Sequence, residues 1–177
     1  MLSHKFPAGE GGGNRDDAIL YHLGVGAGVP QTDPGELEYT YEKNLKVLPS
    51  FSTVASRGEF HHLLKVPGLE FNLALVLHGE QEIELHQPLP PEAKLVSETR
   101  IAEVYDKGKG ALLSLEVSTV DAEGAPLFTN RVSLFLRGEG GSGGPSGADE
   151  QNEAPDRKPH GTVESKTRPQ EALPHRL

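Results

Sequence analysis

Two stretches in the second half of the chain, ALLSLEVSTV and LFTNRVSLFLRG, limit what it can fold into. In the first, Leu113, Leu115 and Val117 alternate with Ser114, Glu116 and Ser118, the two-residue period of a half-buried strand. In the second, Phe128, Val132, Leu134 and Leu136 fall on one face. DAEGAP between them reads as a turn, with Gly124 free to take positive φ. The pair is a long antiparallel hairpin with one apolar face, and that face needs something packed on it. KLVSETRIAEVYD supplies a third strand and EQEIELHQ a fourth.

The first half reads as mostly helical. RDDAILYHLG has two aspartates in its first turn, where they suit the positive end of the helix dipole, and Ile19, Leu20 and Leu23 at the spacing of a buried stripe. LEYTYE predicts a short strand. SFSTVASRGEFHHLLKVPG fits a short helix interrupted near Gly58. The expected class is α+β, helical segments followed by a meander of antiparallel strands.

Composition sets the expected boundaries. From Gly138 onward the chain is rich in Gly and Pro and has no aromatic residue, too little apolar surface to offset its ordering entropy. Residues 138–177 are therefore expected to be a disordered linker, and residues 1–13 equally loose, leaving 14–137 as the folded unit. Cys is absent from the 177 residues, which excludes disulfides, thiolate zinc sites and a Cys nucleophile and suits a reducing, cytosolic compartment. No apolar run reaches the length of a membrane span, and MLSHKFPAGEGGG has no apolar core of a secretory signal. A formal charge of −9 argues against nucleic acid as partner, since neutralising phosphates takes clustered Lys and Arg.

LVLHGEQEIELHQPLPP carries the densest set of candidate chemical groups. On a strand, Ile83 and Leu85 face one way and Glu80, Glu82, Glu84 and His86 the other. Carboxylates fanned along a flat strand rarely converge on one ion, so a solvated face is expected rather than a metal site. His78-Gly79 precedes that alternation; it is either an ordinary polar strand end or a place where a ligand or another backbone approaches closely. His61 and His62 are adjacent and diverge on a helix, which favours a surface position. DKGKG joins two strands, as a turn with solvated lysines or as a site where Lys107 or Lys109 meets an anionic group. Signatures of a serine nucleophile, a P-loop or a dinucleotide site are missing.

Five blocks in order, DDAILYHLGVGAG, YEKNLKVLPSF, LVLHGEQEIELHQPLP, RIAEVYDKGKGAL and NRVSLFLRGEGG, resemble the N-terminal half of MaoC-like enoyl-CoA hydratases of the hydratase-2 type. The resemblance implies a single hot-dog fold, an antiparallel sheet wrapped round a helical segment. It implies addition of water to trans-2-enoyl-CoA to give the (R)-3-hydroxyacyl thioester, with no cofactor beyond the CoA thioester substrate. The family's acid–base pair lies in S/T-G-D-x-N-P-L-H of a second half, and no D-x-N occurs in these residues; Asp156 and His160 are one residue too close together. TVESKTRPQEALPHRL resembles the lead-in to that second half, so the chain is expected to be a truncated or separately encoded half without catalytic residues. By resemblance, the ligand-contacting His-Gly falls on His78 and Gly79, and the contacting Lys on Lys107, a point charge for phosphate. The implied partners are an acyl- or enoyl-CoA and a second hot-dog domain or chain. A homodimeric acyl-CoA-binding or thioesterase-like module is the alternative. The implied location is cytoplasmic, or peroxisomal in a eukaryote, although the terminal HRL matches a peroxisomal address poorly.

Overall fold

The computed structural model describes residues 4–56, 60–147, 156–162 and 164, with the side chains of Phe60 and His61 excepted. The expected break near Gly58, the expected surface position of His61, and most of the stretches expected to be a disordered linker and the lead-in to a second half lie outside these residues. The chain divides into two units, Met1–Gly147 and Ala148–Leu177. Everything below concerns the first.

Its frame is a five-stranded antiparallel sheet in the order β1-β3-β4-β5-β2, with β1 Gly9–Gly13, β2 Val76–Leu85, β3 Ala93–Asp106, β4 Gly110–Asp121 and β5 Pro126–Arg137. The expected hairpin is β4 and β5, in which Leu113 faces Leu134 and Leu115 faces Val132. The chain turns there on Asp121, whose carboxylate accepts the backbone N–H groups of Glu123 and Ala125, and Gly124 takes φ 87°. Strands β3, β4 and β5 form the meander; β2 crosses over to pair with β5.

The helical pieces are short: α1 Arg15–Gly24, α2 Pro34–Leu37, a 3₁₀ turn Pro49–Phe51 running into α3 Ser52–Ala55, and 3₁₀ turns Phe60–Lys65 and Leu73–Leu75. Ile101, Leu113, Leu115 and Leu136 pack with Leu63, Val66, Leu69 and Phe6. Phe128, Leu95 and Leu127 pack with Ala18, Phe51, Ala55 and Leu89. Each fully buried aliphatic or aromatic side chain here contributes about 1.5–3 kcal/mol of transfer free energy, and these two clusters hold the helical layer onto the sheet.

Four expectations are corrected. Helix α1 forms as predicted, with Asn14 and Asp17 in a reciprocal capping box, yet it buries Ala18 and His22, while Leu20 and Leu23 stay exposed at 71% and 55%. The helix is oriented by His22. Its Nε2 accepts the Leu48 N–H at 3.1 Å, so its Nδ1 carries the proton toward the Tyr39 carbonyl at 2.6 Å. LEYTYE is no strand. Asp33 caps α2 through the Gly35 and Glu36 N–H groups, Glu36 binds the Gly28 N–H, and Thr40 bonds back to the Glu36 carbonyl. Local side-chain bonds to backbone outweigh strand propensity there.

The N-terminus is not loose throughout either. Gly9–Gly13 pairs with Ala93–Ser97, Phe6 is buried, and the Phe6 N–H donates to the Thr99 carbonyl. The glycines serve close approach: a Cβ on Gly12 would stand 2.2 Å from the Ala93 carbonyl oxygen. Finally, the first unit runs on past Arg137 to Gly147, because Asp106 ties residues 141–143 down by hydrogen bonds.

Candidate functional site

The groove-facing edge of the sheet is shaped by one extra residue in β2. His78 pairs with Leu134 and Glu80 with Ser133, so Gly79 is a bulge with no partner. A Cβ at Gly79 would come 3.2 Å from the Ser133 carbonyl oxygen, tighter than ordinary contact. The bulge resets the strand's phase, and so His78 and Gln81, three apart, both line the same groove. Strict alternation would have turned one of them away.

That groove, of about 450 Å³, lies between the sheet and its helical cover. Its floor is Val117, Val132 and Leu134, and Leu63, Phe71 and Leu73 form the apolar walls. Polar groups are confined to two places. His78 and Gln81 stand on β2; Thr53, Ser56 and Asn130 line another part. Asn130 is buried and fully engaged: its Nδ2 donates to the Ser52 carbonyl and to Ser56 Oγ, and its Oδ1 accepts from Ser52 Oγ. It welds α3 to β5 while leaving the surrounding groove apolar.

The acidic side of β2 does something else. Arg131 on β5 reaches Glu82 at 2.8 Å and Glu84 at 3.2 Å, and its Nε donates to Glu116 at 3.2 Å. Arg100 on β3 reaches the other Glu116 oxygen at 2.9 Å. Glu82, Glu84 and Glu116 are thus joined with Arg100 and Arg131 in an ion-pair network across four strands on the outer face. Among the described residues no group of three His, Asp or Glu side chains could hold a metal ion. His86 closes the strand with Nε2 at 3.0 Å from Thr129 Oγ1.

Lys107 sits apart from this groove, in the β3–β4 turn. The ladder places both at one end of the sheet: Gly110 pairs with Arg137, and the next rung joins Ala111, Leu136 and Val76, two residues before His78. Two strand spacings, about 10 Å, separate β4 from β2. His62 lies beside Phe6, with ring centroids 6.4 Å apart.

The turn is fixed by Asp106. Its Oδ1 accepts from Gly108 N–H at 2.8 Å and Gly141 N–H at 2.9 Å; its Oδ2 accepts from Gly143 N–H at 2.8 Å and Ser142 Oγ at 3.3 Å. Those donors, the Gly141 and Gly108 amides foremost, hold the carboxyl down at about 2. Gln81, Asn130 and Asp106 escaped the sequence reading. Gln81 depends on the bulge, and the others depend on contacts across 35 residues or more.

A five-stranded antiparallel sheet wrapped on short helical turns, with an apolar groove beneath, is the hot-dog fold of the MaoC-like dehydratases. The crystal structure of a MaoC-like dehydratase from Phytophthora capsici superposes with a TM-score of 0.74 at 27% identity, over 99% of this chain and 60% of that one. Residues 13–138 match the family described as MFE-2 hydratase 2 N-terminal domain, and the chain belongs to that family. Similar relatives are the peroxisomal enoyl-CoA hydratase 2 of Arabidopsis thaliana, 36% identical over 100% of this chain and 62% of its own length, and the enoyl-CoA hydratase ChsH3 of Mycobacterium tuberculosis, 36% identical over 99% and 62%. The chain spans about three fifths of the length of these relatives. Among the described residues no helix is long and apolar enough to cross a membrane.

Proposed function

We propose that this chain is the acyl-CoA-binding N-terminal half of an (R)-specific 2-enoyl-CoA hydratase, which adds water to trans-2-enoyl-CoA. The observation that supports it is the groove: apolar on floor and walls, with polar side chains in two restricted places. The acyl chain lies along Val117, Val132 and Leu134. His78 and the backbone at Gly79 meet the ligand on β2. Lys107 meets phosphate of the CoA as a compact cation.

These groups bind and orient; they do not transfer protons. Hydration needs a base to activate water and donors to stabilise the thioester oxyanion. The acid–base motif of the resembled hydratases is absent from this sequence. Chemistry is assigned to a second hot-dog domain or chain, which shares the ligand with this one.

Calorimetry with a nonhydrolysable 2-enoyl-CoA analogue tests binding. Each buried methylene contributes about 0.8 kcal/mol, so lengthening the acyl chain by two carbons tightens binding roughly tenfold until the groove is full. A flat response to chain length overturns the assignment of the groove. Hydration of crotonyl-CoA by the purified chain alone is expected to be undetectable; turnover without a second half would show that the chemistry resides here.

A further inference from the structure

Two glycine-rich segments far apart in sequence, DKGKG and GEGGSGG, converge on one carboxylate. We propose that Asp106 is a positioning residue that locks the turn carrying Lys107 and so sets affinity for the phosphate-bearing part of an acyl-CoA. This rests on the acyl-CoA reading given above and adds to it a residue that touches no ligand.

Asp106 ends β3, and Lys107 is the next residue. One carboxylate oxygen holds the turn itself through Gly108, while both oxygens hold residues 141–143 beside it. The segments interlock through backbone as well. The Asp106 N–H donates to the Pro145 carbonyl and the Gly138 N–H to the Lys109 carbonyl. A Cβ on Gly140 would stand 2.2 Å from the Gly108 carbonyl oxygen. The turn therefore has the glycine-rich segment as its backing, and Asp106 is the side chain that joins the two. The turn closes on itself through the Lys107 N–H to the Gly110 carbonyl and the Lys109 N–H to the Lys107 carbonyl, and the Asp106 carboxylate fixes it against its backing; a turn released from that backing would lose more ordering entropy on binding.

Electrostatics predicts the opposite sign, which makes the test decisive. Removing a negative charge near a phosphate site should strengthen phosphate binding. Asp106→Asn keeps the size of the side chain but turns one acceptor oxygen into an NH₂ group facing N–H donors. A positioning role therefore predicts weaker binding where charge alone predicts tighter.

The experiment uses the full chain, a nonhydrolysable enoyl-CoA analogue, and the pantetheine thioester of the same acyl group, which lacks the nucleotide phosphates. Asp106→Asn is expected to weaken the CoA ligand on the order of tenfold, the size of a typical coupling between sites. The pantetheine ligand is expected to keep its affinity. Lys107→Ala should abolish most of the Asp106 effect in a double-mutant cycle. Ser142→Ala, which removes one donor and leaves the carboxylate, gives a smaller loss of the same sign and serves should Asp106→Asn fail to fold. Unchanged or tighter CoA binding, equal loss on both ligands, or additivity with Lys107→Ala overturns the inference. Absence of binding of either ligand by the unsubstituted chain overturns the acyl-CoA reading, and this inference with it.

Discussion

At the scale of single residues, three positions set geometry that their neighbours in sequence do not reveal. His22 is buried within α1 and uses both ring nitrogens on backbone groups of distant loops, the Tyr39 carbonyl and the Leu48 N–H. Replacing it by alanine strands both groups and leaves a cavity. His22→Ala is expected to cost about 3–5 kcal/mol in urea unfolding; a loss under about 1 kcal/mol would mean that water satisfies the two groups. Gly79 makes the bulge that sets His78 and Gln81 on one groove, and its Cβ would crowd the Ser133 carbonyl. Gly79→Val should cost about 1–3 kcal/mol from overpacking and weaken acyl-CoA binding as β2 shifts; an unaltered Kd would separate the bulge from the ligand. Asp106 carries a pH signature. Its folded carboxyl is held at about 2, below the ordinary value of about 3.9 in an unfolded chain. A depressed folded value means a stabilising contribution that is complete above the unfolded value and lost as pH falls through the folded one. The difference in melting temperature between wild type and Asp106→Asn should therefore hold constant down to about pH 4 and close between there and about pH 2. A constant difference across that window would show that the carboxylate is not the source.

At the scale of elements, what could be read in the sequence followed side-chain period, and what could not followed backbone. Strands β4 and β5 carry Leu, Val and Phe at alternating positions of the covered face, and the hairpin and its turn at Gly124 were legible residue by residue. Strand β1 is four glycines and a glutamate, whose only contribution is N–H and C=O groups for the free edge of β3, and composition signals looseness where the fold needs closeness. LEYTYE has strand-like residues, but Asp33, Glu36 and Thr40 bind nearby backbone first. The candidate site divides the same way. His78, Gly79 and Lys107 were nameable by resemblance, whereas Gln81 needed the bulge and Asn130 needed the register that sets β5 against α3. The outer face of β2 yields a prediction at this scale. Glu82 and Glu84 meet Arg131 at a well-hydrated surface, where such pairs are worth about 0.2–1 kcal/mol. Glu116 is more enclosed and bridges Arg100 and Arg131. Urea unfolding should therefore rank Glu116→Gln as more destabilising than Glu82→Gln, and the reverse order would mean that the network is not centred on Glu116.

At the scale of the whole molecule, exposed apolar side chains of the first unit recur in two stretches of the chain. Leu20, Leu23, Val25 and Val29 are each more than half exposed along the end of α1 and the loop that follows. Leu73, Leu75 and Leu77 are exposed by 42–60% where the chain enters β2. Scattered exposed leucines need no explanation, whereas contiguous apolar patches are where another body docks. Under the proposed function the docking body is the second hot-dog half. The two clusters then separate stability from assembly. Leu20→Gln with Leu23→Gln removes apolar area that the first unit does not itself bury, so unfolding free energy should change by no more than about 0.5 kcal/mol per site. The same pair should impair hydratase activity reconstituted by adding a catalytic hot-dog chain, while binding of the enoyl-CoA analogue to the isolated chain is unaffected. Large destabilisation by the pair would show that the leucines belong to this unit's own core. Full reconstitution would show that the second half docks elsewhere, and the exposed Leu75 and Leu77, which do not line the groove, become the residues to substitute next.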